Sequence, residues 1–415
     1  MNPWRCGMLV LVGILGWTLL LFLYFSWSID SHSSLLLAVV DTGQVQFSAR
    51  TLTTMRGQND SSVQRQVRRL PPAMMLPQVN KWRRARRPLD FEFFSEGRQA
   101  VHALWKGQAS ADMLSFRLQE AKKSYTGINL HNVTYTGSMV AQRGTQDLLC
   151  QLKRQQLRTV DGTEEPFAKL GWRQLVPGKP LQQLRDTPYR TCAVITSAGA
   201  LLRSSLGKEI VDSHDAVLRF NAAPTRGFED HVGSKTTIRI INSQILADSY
   251  HFASSSLYKN ITLLAWDPTS YSANLEKWYS KPDYDLFPAY VERRRSSPSQ
   301  PFYILHPAFI WHLWDVLQNN IDEDIQPNPP SSGFIGIIVM LSLCEKVDVY
   351  EFIPSRRHTT LCHYYDYYHD MACTLGAYHP LLYEKLLVRR MTETSMDDLS
   401  NNGKAVLSGF SQITC

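Results

Sequence analysis

In the stretch AYHPLLYEK, residues 377–385, a histidine precedes a proline and a glutamate follows it five places later. An imidazole titrates near pH 6.5, so it can take a proton near neutrality without help from its surroundings. Pro380 fixes its own φ, biases His379 away from helical backbone and suits the first position of a helix. The run LLYEKLLVRR reads as that helix, with Lys385, Arg389 and Arg390 toward its C-terminal side, where the dipole favours cations. His379 is thus expected at a helix N-terminus, and the stretch alone fits either a general base or a capping histidine. A second stretch, PNPPSSGFIGIIVMLSLC (327–344), offers anion chemistry. Its prolines stop what precedes, Ser331 or Ser332 can serve as N-cap, and an apolar helix of about three turns follows, too short to span a bilayer. Ser331, Ser332 and Gly333 would present hydroxyls and free backbone N–H groups to a phosphate or carboxylate, with plain capping as the alternative.

Such groups need a scaffold that aims them at one place. After Cys192, short apolar runs end repeatedly in a small or polar residue: CAVITS at Ser197, AVLRFN at Asn221, TTIRIIN at Asn242 and ITLLAWD at Asp267. FYILHP and KVDVYEF look like two more strands, and LLRSSLGKEI and FIWHLWDVL like helices between them. Strands alternating with helices predict an α/β domain with a largely parallel central sheet flanked by helices. Ligands bind outside the carboxyl ends of such strands, which is where all four polar residues fall.

The remaining sequence sets the surroundings. Residues 7–27 carry no charge and exceed the roughly 18–20 residues that cross a bilayer. Arg5 before them, with Asp30 and His32 after, puts residues 1–6 in the cytosol and the rest across the membrane. The apolar core is longer than that of a typical signal peptide and no small-x-small cleavage site follows closely, so it reads as an uncleaved anchor. Residues 41–90 hold ten Lys/Arg against three Asp/Glu, the whole of the +7 net charge, and four prolines. They belong to an extended stem, 28–109, and the globular domain spans 110–415. Because the folded part balances to zero, nucleic-acid binding is unsupported.

Beyond Cys6 lie six cysteines, Cys150, Cys192, Cys344, Cys362, Cys373 and Cys415, with no C-x-x-C among them. An even number past a membrane suggests three disulfides, with 15 pairings open. Sequons at Asn59, Asn132 and Asn260 point to the same secretory lumen. There is no G-x-S-x-G, H-E-x-x-H, Walker loop or G-x-G-x-x-G. The strings Asp283-Tyr284-Asp285 and Asp322-Glu323-Asp324 resemble cation-holding pairs of sugar-nucleotide transferases, but neither follows an apolar strand, and the second reads as solvated charge.

Taken together, these stretches resemble the eukaryotic sialyltransferases. Residues 189–243 are similar to their large sialylmotif, 326–352 to the small one, HYYD at 363–366 to the third, and His379 with Glu384 to the H-x-x-x-x-E of the very small motif. Detail in WDPTSYSANLEKWYSKPDYDLF, NPPSSGF and AYHPLLYEK is similar to the β-galactoside α-2,6-sialyltransferases within that family. The likeness covers roughly residues 110–415.

The resemblance implies a single-pass type II Golgi enzyme with a variant GT-A-like fold. It would move sialic acid from CMP-sialic acid to the 6-hydroxyl of terminal galactose on glycoproteins or oligosaccharides, without metal or cofactor. It implies donor contacts from Ser197, Asn221 and Asn242, and a phosphate or carboxylate held by Ser331, Ser332 and Gly333. His363, Thr374, Tyr378 and Lys385 would complete the site, Gln244 and Asp283 would face the acceptor galactose, and His379 would be the base. His363 departs from the tyrosine that can occupy its place in relatives. The implied disulfides are Cys150–Cys415, Cys192–Cys344 and Cys362–Cys373. Release after stem cleavage and a homodimer are both compatible with the family. Two other readings stay open: a sialyltransferase of another linkage, such as α-2,3, and a Golgi glycan-binding protein without turnover.

Overall fold

The computed structural model describes residues 129–139, 144–369, 373, 376 and 378–415. The expected anchor (7–27), the stem (28–109), the start of the globular domain at 110, Asn59 and Thr374 lie outside the described residues. Within them, no helix is long and apolar enough to cross a membrane.

The apolar runs become strands: β1 Tyr189–Ile195, β2 Ala216–Phe220, β3 Ile238–Asn242, β4 Thr262–Trp266, β5 Phe302–Ile304 and β6 Cys344–Tyr350. A seventh, β7 Lys404–Ser408, completes the sheet, whose order is β5-β4-β3-β2-β1-β6-β7. All pairings are parallel except β6 with β7. Side chains alternate between faces along each strand. Cys192, Val194, Leu218, Phe220, Ile238, Ile240, Leu264 and Trp266 enter one core; Ile241, Leu263 and Ala265 enter a second, and Ala193, Ile195 and Val217 a third. With apolar partners on both faces, the strands have no reason to alternate with polar residues, hence the continuous runs in the sequence.

The helices of ten residues or more among the described residues are α1 Thr145–Arg154, α2 Phe287–Ser296, α3 Pro307–Asn319, α4 Ser332–Leu343 and α5 Leu381–Met391. α4 lies across β6, β1, β2 and β3. Gly336 permits this approach, since a Cβ there would stand 2.6 Å from the Phe220 ring. Residues 201–210, expected as one helix, break into Gly199–Arg203 and Gly207–Asp212. The Ser204 hydroxyl donates to the Leu201 carbonyl (2.7 Å) and competes with helix continuation. Gly207 packs so closely on the Glu229 carbonyl that any Cβ would overlap it.

Three disulfides tie distant segments: Cys150–Cys415 links α1 to the C-terminal residues, Cys192–Cys344 joins β1 to β6, and Cys362–Cys373 closes a short loop. Asn132 and Asn260 are both exposed, each in a left-handed turn (φ 52° and 58°) that asparagine tolerates.

Candidate active site

The sheet order reverses between β1 and β6, so a ligand crevice is expected outside the carboxyl ends of the central strands. Ser197 follows β1, Asn221 follows β2, Asn242 ends β3 and Asp267 follows β4. Asn221 adopts φ 44°, and its side-chain oxygen accepts from the Asn242 amide at 3.0 Å. Arg239, buried inside β3, donates to the carbonyls of Asn221 (2.9 Å) and Ala223 (3.0 Å) and holds this turn from below. The Asn242 side chain caps the following turn through the Ile245 amide (3.4 Å) and reaches Gln244 (3.5 Å). The third-motif segment packs beside β1, where the Tyr364 amide donates to the Ser197 carbonyl (2.9 Å). There His363 pairs with Asp366 (2.5 Å) and stacks on Tyr365.

The start of α4 meets the start of α5. Ser331 is the N-cap of α4, its hydroxyl accepting from the Phe334 amide at 3.2 Å. Glu384, buried in the first turn of α5, accepts from both the Ser331 amide (2.7 Å) and hydroxyl (2.5 Å). The glutamate of the H-x-x-x-x-E spacing thus fixes the serine of the other stretch. Burial pushes its carboxyl up to about 7 against those two hydrogen bonds. Burial likewise lowers the neighbouring Lys385 to about 8, and its ammonium lies 5.7 Å from the Phe352 ring. Gly333 faces the same ring, where a Cβ would come within 2.8 Å. Ser332 is held from the sheet, accepting from the Trp266 indole N–H at 2.9 Å.

His379 stands next to this junction, half-buried, 6.2 Å from the Trp266 ring and 4.8 Å from that of Tyr378. Pro380 is the N-cap of α5 rather than its first residue, because its ψ of 46° is not helical. His379 Nδ1 lies 2.7 Å from the Pro329 carbonyl. A carbonyl only accepts, so Nδ1 carries the proton and Nε2 the lone pair. Nε2 has no hydrogen-bond partner among the described residues. Side-chain capping is ruled out by this geometry, since the ring is bound to the loop before α4 and makes no cap bond to α5. Burial lowers the imidazole to about 4, which keeps it neutral and able to accept a proton.

Beyond Trp266 the strand end turns outward. Asp267 is buried, accepts from the Trp278 indole (2.7 Å) and the Asp283 amide (3.1 Å), and is pushed up to about 6 by desolvation. Asp283 therefore comes to the end of β4, although no strand leads directly into it. Among the described residues, no group of three or more His, Cys, Asp or Glu is placed to hold a metal. Ser197, Asn221, Asn242, Asp267 and Asp283 lie at the carboxyl ends of β1 to β4, and Ser331, Ser332, Gly333, His379, Glu384 and Lys385 at the meeting of α4 and α5, whereas Asn260 precedes β4 at the opposite edge. Trp266, Arg239 and His131 were not foreseen. Trp266 sits inside an apolar run, Arg239 is a lone arginine in TTIRIIN with no local sign of its buried role, and His131 is far away in the chain.

A family model described as glycosyltransferase family 29 (sialyltransferase) matches residues 142–396. Beta-galactoside alpha-2,6-sialyltransferase 2 of Danio rerio is 62% identical over 317 residues, covering 76% of this chain and 62% of that protein. The Homo sapiens protein of that name is 60% identical over 325 residues, covering 78% and 61% respectively. The chain spans about three fifths of the length of these curated relatives. A crystal structure of a mammalian sialyltransferase matches at 23% identity with a TM-score of 0.38, covering 66% of this chain and 91% of that one.

Proposed function

The chain belongs to glycosyltransferase family 29, the sialyltransferases, and from that premise we propose that it transfers sialic acid from CMP-sialic acid to the 6-hydroxyl of terminal galactose. His379 Nε2 takes the proton from galactose O6 as O6 attacks C2 of the donor. The C2–O bond to phosphate breaks on the opposite face, and the β-linked donor becomes an α-linked product. CMP leaves as a phosphate, already a competent leaving group, so the step asks for a base rather than for a carboxylic acid of raised pKa. Ser332 and Gly333 hold the departing anion at the start of α4, and Ser331, implied by the resemblance as a third contact, instead gives its amide and hydroxyl to Glu384 and shapes that terminus. Ser197, Asn221 and Asn242 contact the donor, His363, Thr374, Tyr378 and Lys385 complete the site, and Gln244 and Asp283 face the acceptor galactose. The Tyr378 phenol, raised by burial and by the charge of Asp283, stands near that carboxylate, which puts it on the acceptor side. The names of the relatives favour the α-2,6 linkage. In the cell this enzyme is a Golgi type II membrane protein acting on glycoproteins or oligosaccharides, and a homodimer fits the same reading.

The observation that carries the reading is His379 itself. It is a neutral imidazole whose tautomer is fixed by Pro329, next to the tryptophan that holds the anion-binding serine. The test is to incubate the complete chain with CMP-sialic acid and a galactose-terminated disaccharide in EDTA, then determine the product linkage. An α-2,6 product is expected. An α-2,3 product would correct the linkage, a requirement for added manganese would overturn metal independence, and glycan binding without transfer would overturn the enzyme reading.

A further inference from the structure

Residues 129–139 precede the segment matched by the family model, yet they reach the candidate site. Their turn is built by Asn129, whose side chain exchanges two hydrogen bonds with the Val133 backbone (2.7 and 2.8 Å). Val133 and Tyr135 pack against the main core, and the Tyr135 hydroxyl donates to Asn319 in α3. Within this strap His131 is buried. Its carbonyl accepts from the Tyr271 amide at 2.8 Å and its ring lies 5.5 Å from Trp311. His131 Nδ1 is 2.9 Å from the Thr269 carbonyl and Nε2 is 2.6 Å from the Tyr378 hydroxyl. The carbonyl requires the proton on Nδ1, so in the neutral ring Nε2 accepts and the Tyr378 phenol donates. Burial lowers the His131 pKa, favouring that neutral form.

We infer that His131 is a positioning residue that fixes the Tyr378 hydroxyl as a hydrogen-bond acceptor toward the bound acceptor sugar. With its only proton directed at His131, the Tyr378 oxygen offers lone pairs alone to the site and selects a sugar hydroxyl that donates. The strap thereby adds acceptor selectivity to a core that carries the chemistry. This rests on the proposed transfer reaction, with Tyr378 on its acceptor side.

The test uses the complete chain with His131→Ala and His131→Gln, the latter keeping an acceptor atom near the position of Nε2. Donor and acceptor KM, kcat and melting temperature are measured with CMP-sialic acid and a galactose-terminated disaccharide. His131→Ala is expected to raise acceptor KM roughly tenfold with donor KM unchanged, the loss of one oriented hydrogen bond, and His131→Gln to restore most of it. A variant that melts earlier but keeps wild-type KM values, or equal impairment toward donor and acceptor in both variants, would overturn the inference while leaving the transfer reaction standing. A wild-type chain without transfer would overturn both.

Discussion

The two edges of the central sheet handle buried polar groups in opposite ways. At the amino edge of β4 and β5 a cavity of about 730 Å³ opens beside Asn260, Thr262, Arg293 and Gln300. Its arginine is committed: Arg293 donates to the carbonyls of Phe252 (2.9 Å) and Tyr258 (3.0 Å). Behind it, Arg294 donates to those of Leu175, Pro298 and Gln300. At the carboxyl edge, burial moves acids and bases alike toward neutrality, with Asp267 at about 6, Glu384 at about 7, Lys385 at about 8 and His379 at about 4. There His379 Nε2 keeps a lone pair uncommitted to any described residue. A large opening is therefore a poor guide to chemistry in this fold. Groups desolvated beside one another, with hydrogen-bonding capacity still to give, are a better one.

Substitutions at the two edges should separate turnover from stability. The largest effect is expected for Glu384→Ala, which orphans the Ser331 amide and hydroxyl at the start of α4. Loss of two buried hydrogen bonds to a carboxylate should cost about 3–5 kcal/mol in urea unfolding, and the folded fraction should bind donor poorly. Normal donor affinity in that variant would detach the α4 terminus from the donor. Next is Ser332→Ala, expected to raise donor KM roughly tenfold and leave acceptor KM alone. A raised acceptor KM instead would move the helix terminus to the other substrate. The smallest effect on turnover is expected for Arg293→Met, which strands two carbonyls at the amino edge. It should lower stability by roughly 2–4 kcal/mol with wild-type kcat and both KM values in the folded fraction. A change in either KM would make the cavity part of the site.

The contrast also explains what the sequence could reveal. β1–β6 were legible because a sheet covered on both faces needs largely apolar runs, and the polar residue ending each of the first four marked the carboxyl edge of the sheet. β7 escaped because KAVLS is a short edge strand, only half of it buried, following a glycine at the end of a helix. Ser331 and Glu384 were both visible as motif residues, but their contact, 53 positions apart, was not. His131 lies 247 positions from Tyr378, and nothing in the LHNVTY stretch distinguishes it from an ordinary turn histidine. Residue types and local spacing survive in a sequence. Which side chain meets which across the fold does not.

The central claim is that a neutral His379, its tautomer fixed by Pro329, accepts the proton from the acceptor hydroxyl. With the folded-state pKa near 4 and the unfolded value near 6.5, this group's contribution to stability is present above pH 6.5 and fades as pH falls toward 4. Rates must therefore be read on protein shown to be folded. The most direct measurement is kcat/KM as a function of pH for the wild type and for His379→Asn, with folding checked at each point. The account predicts a wild-type acid limb nearer pH 4 than 6.5, and a folded His379→Asn enzyme that binds CMP but transfers roughly 10²–10⁴-fold more slowly with that limb gone. A folded His379→Asn enzyme with near-normal turnover and an unchanged profile would contradict it.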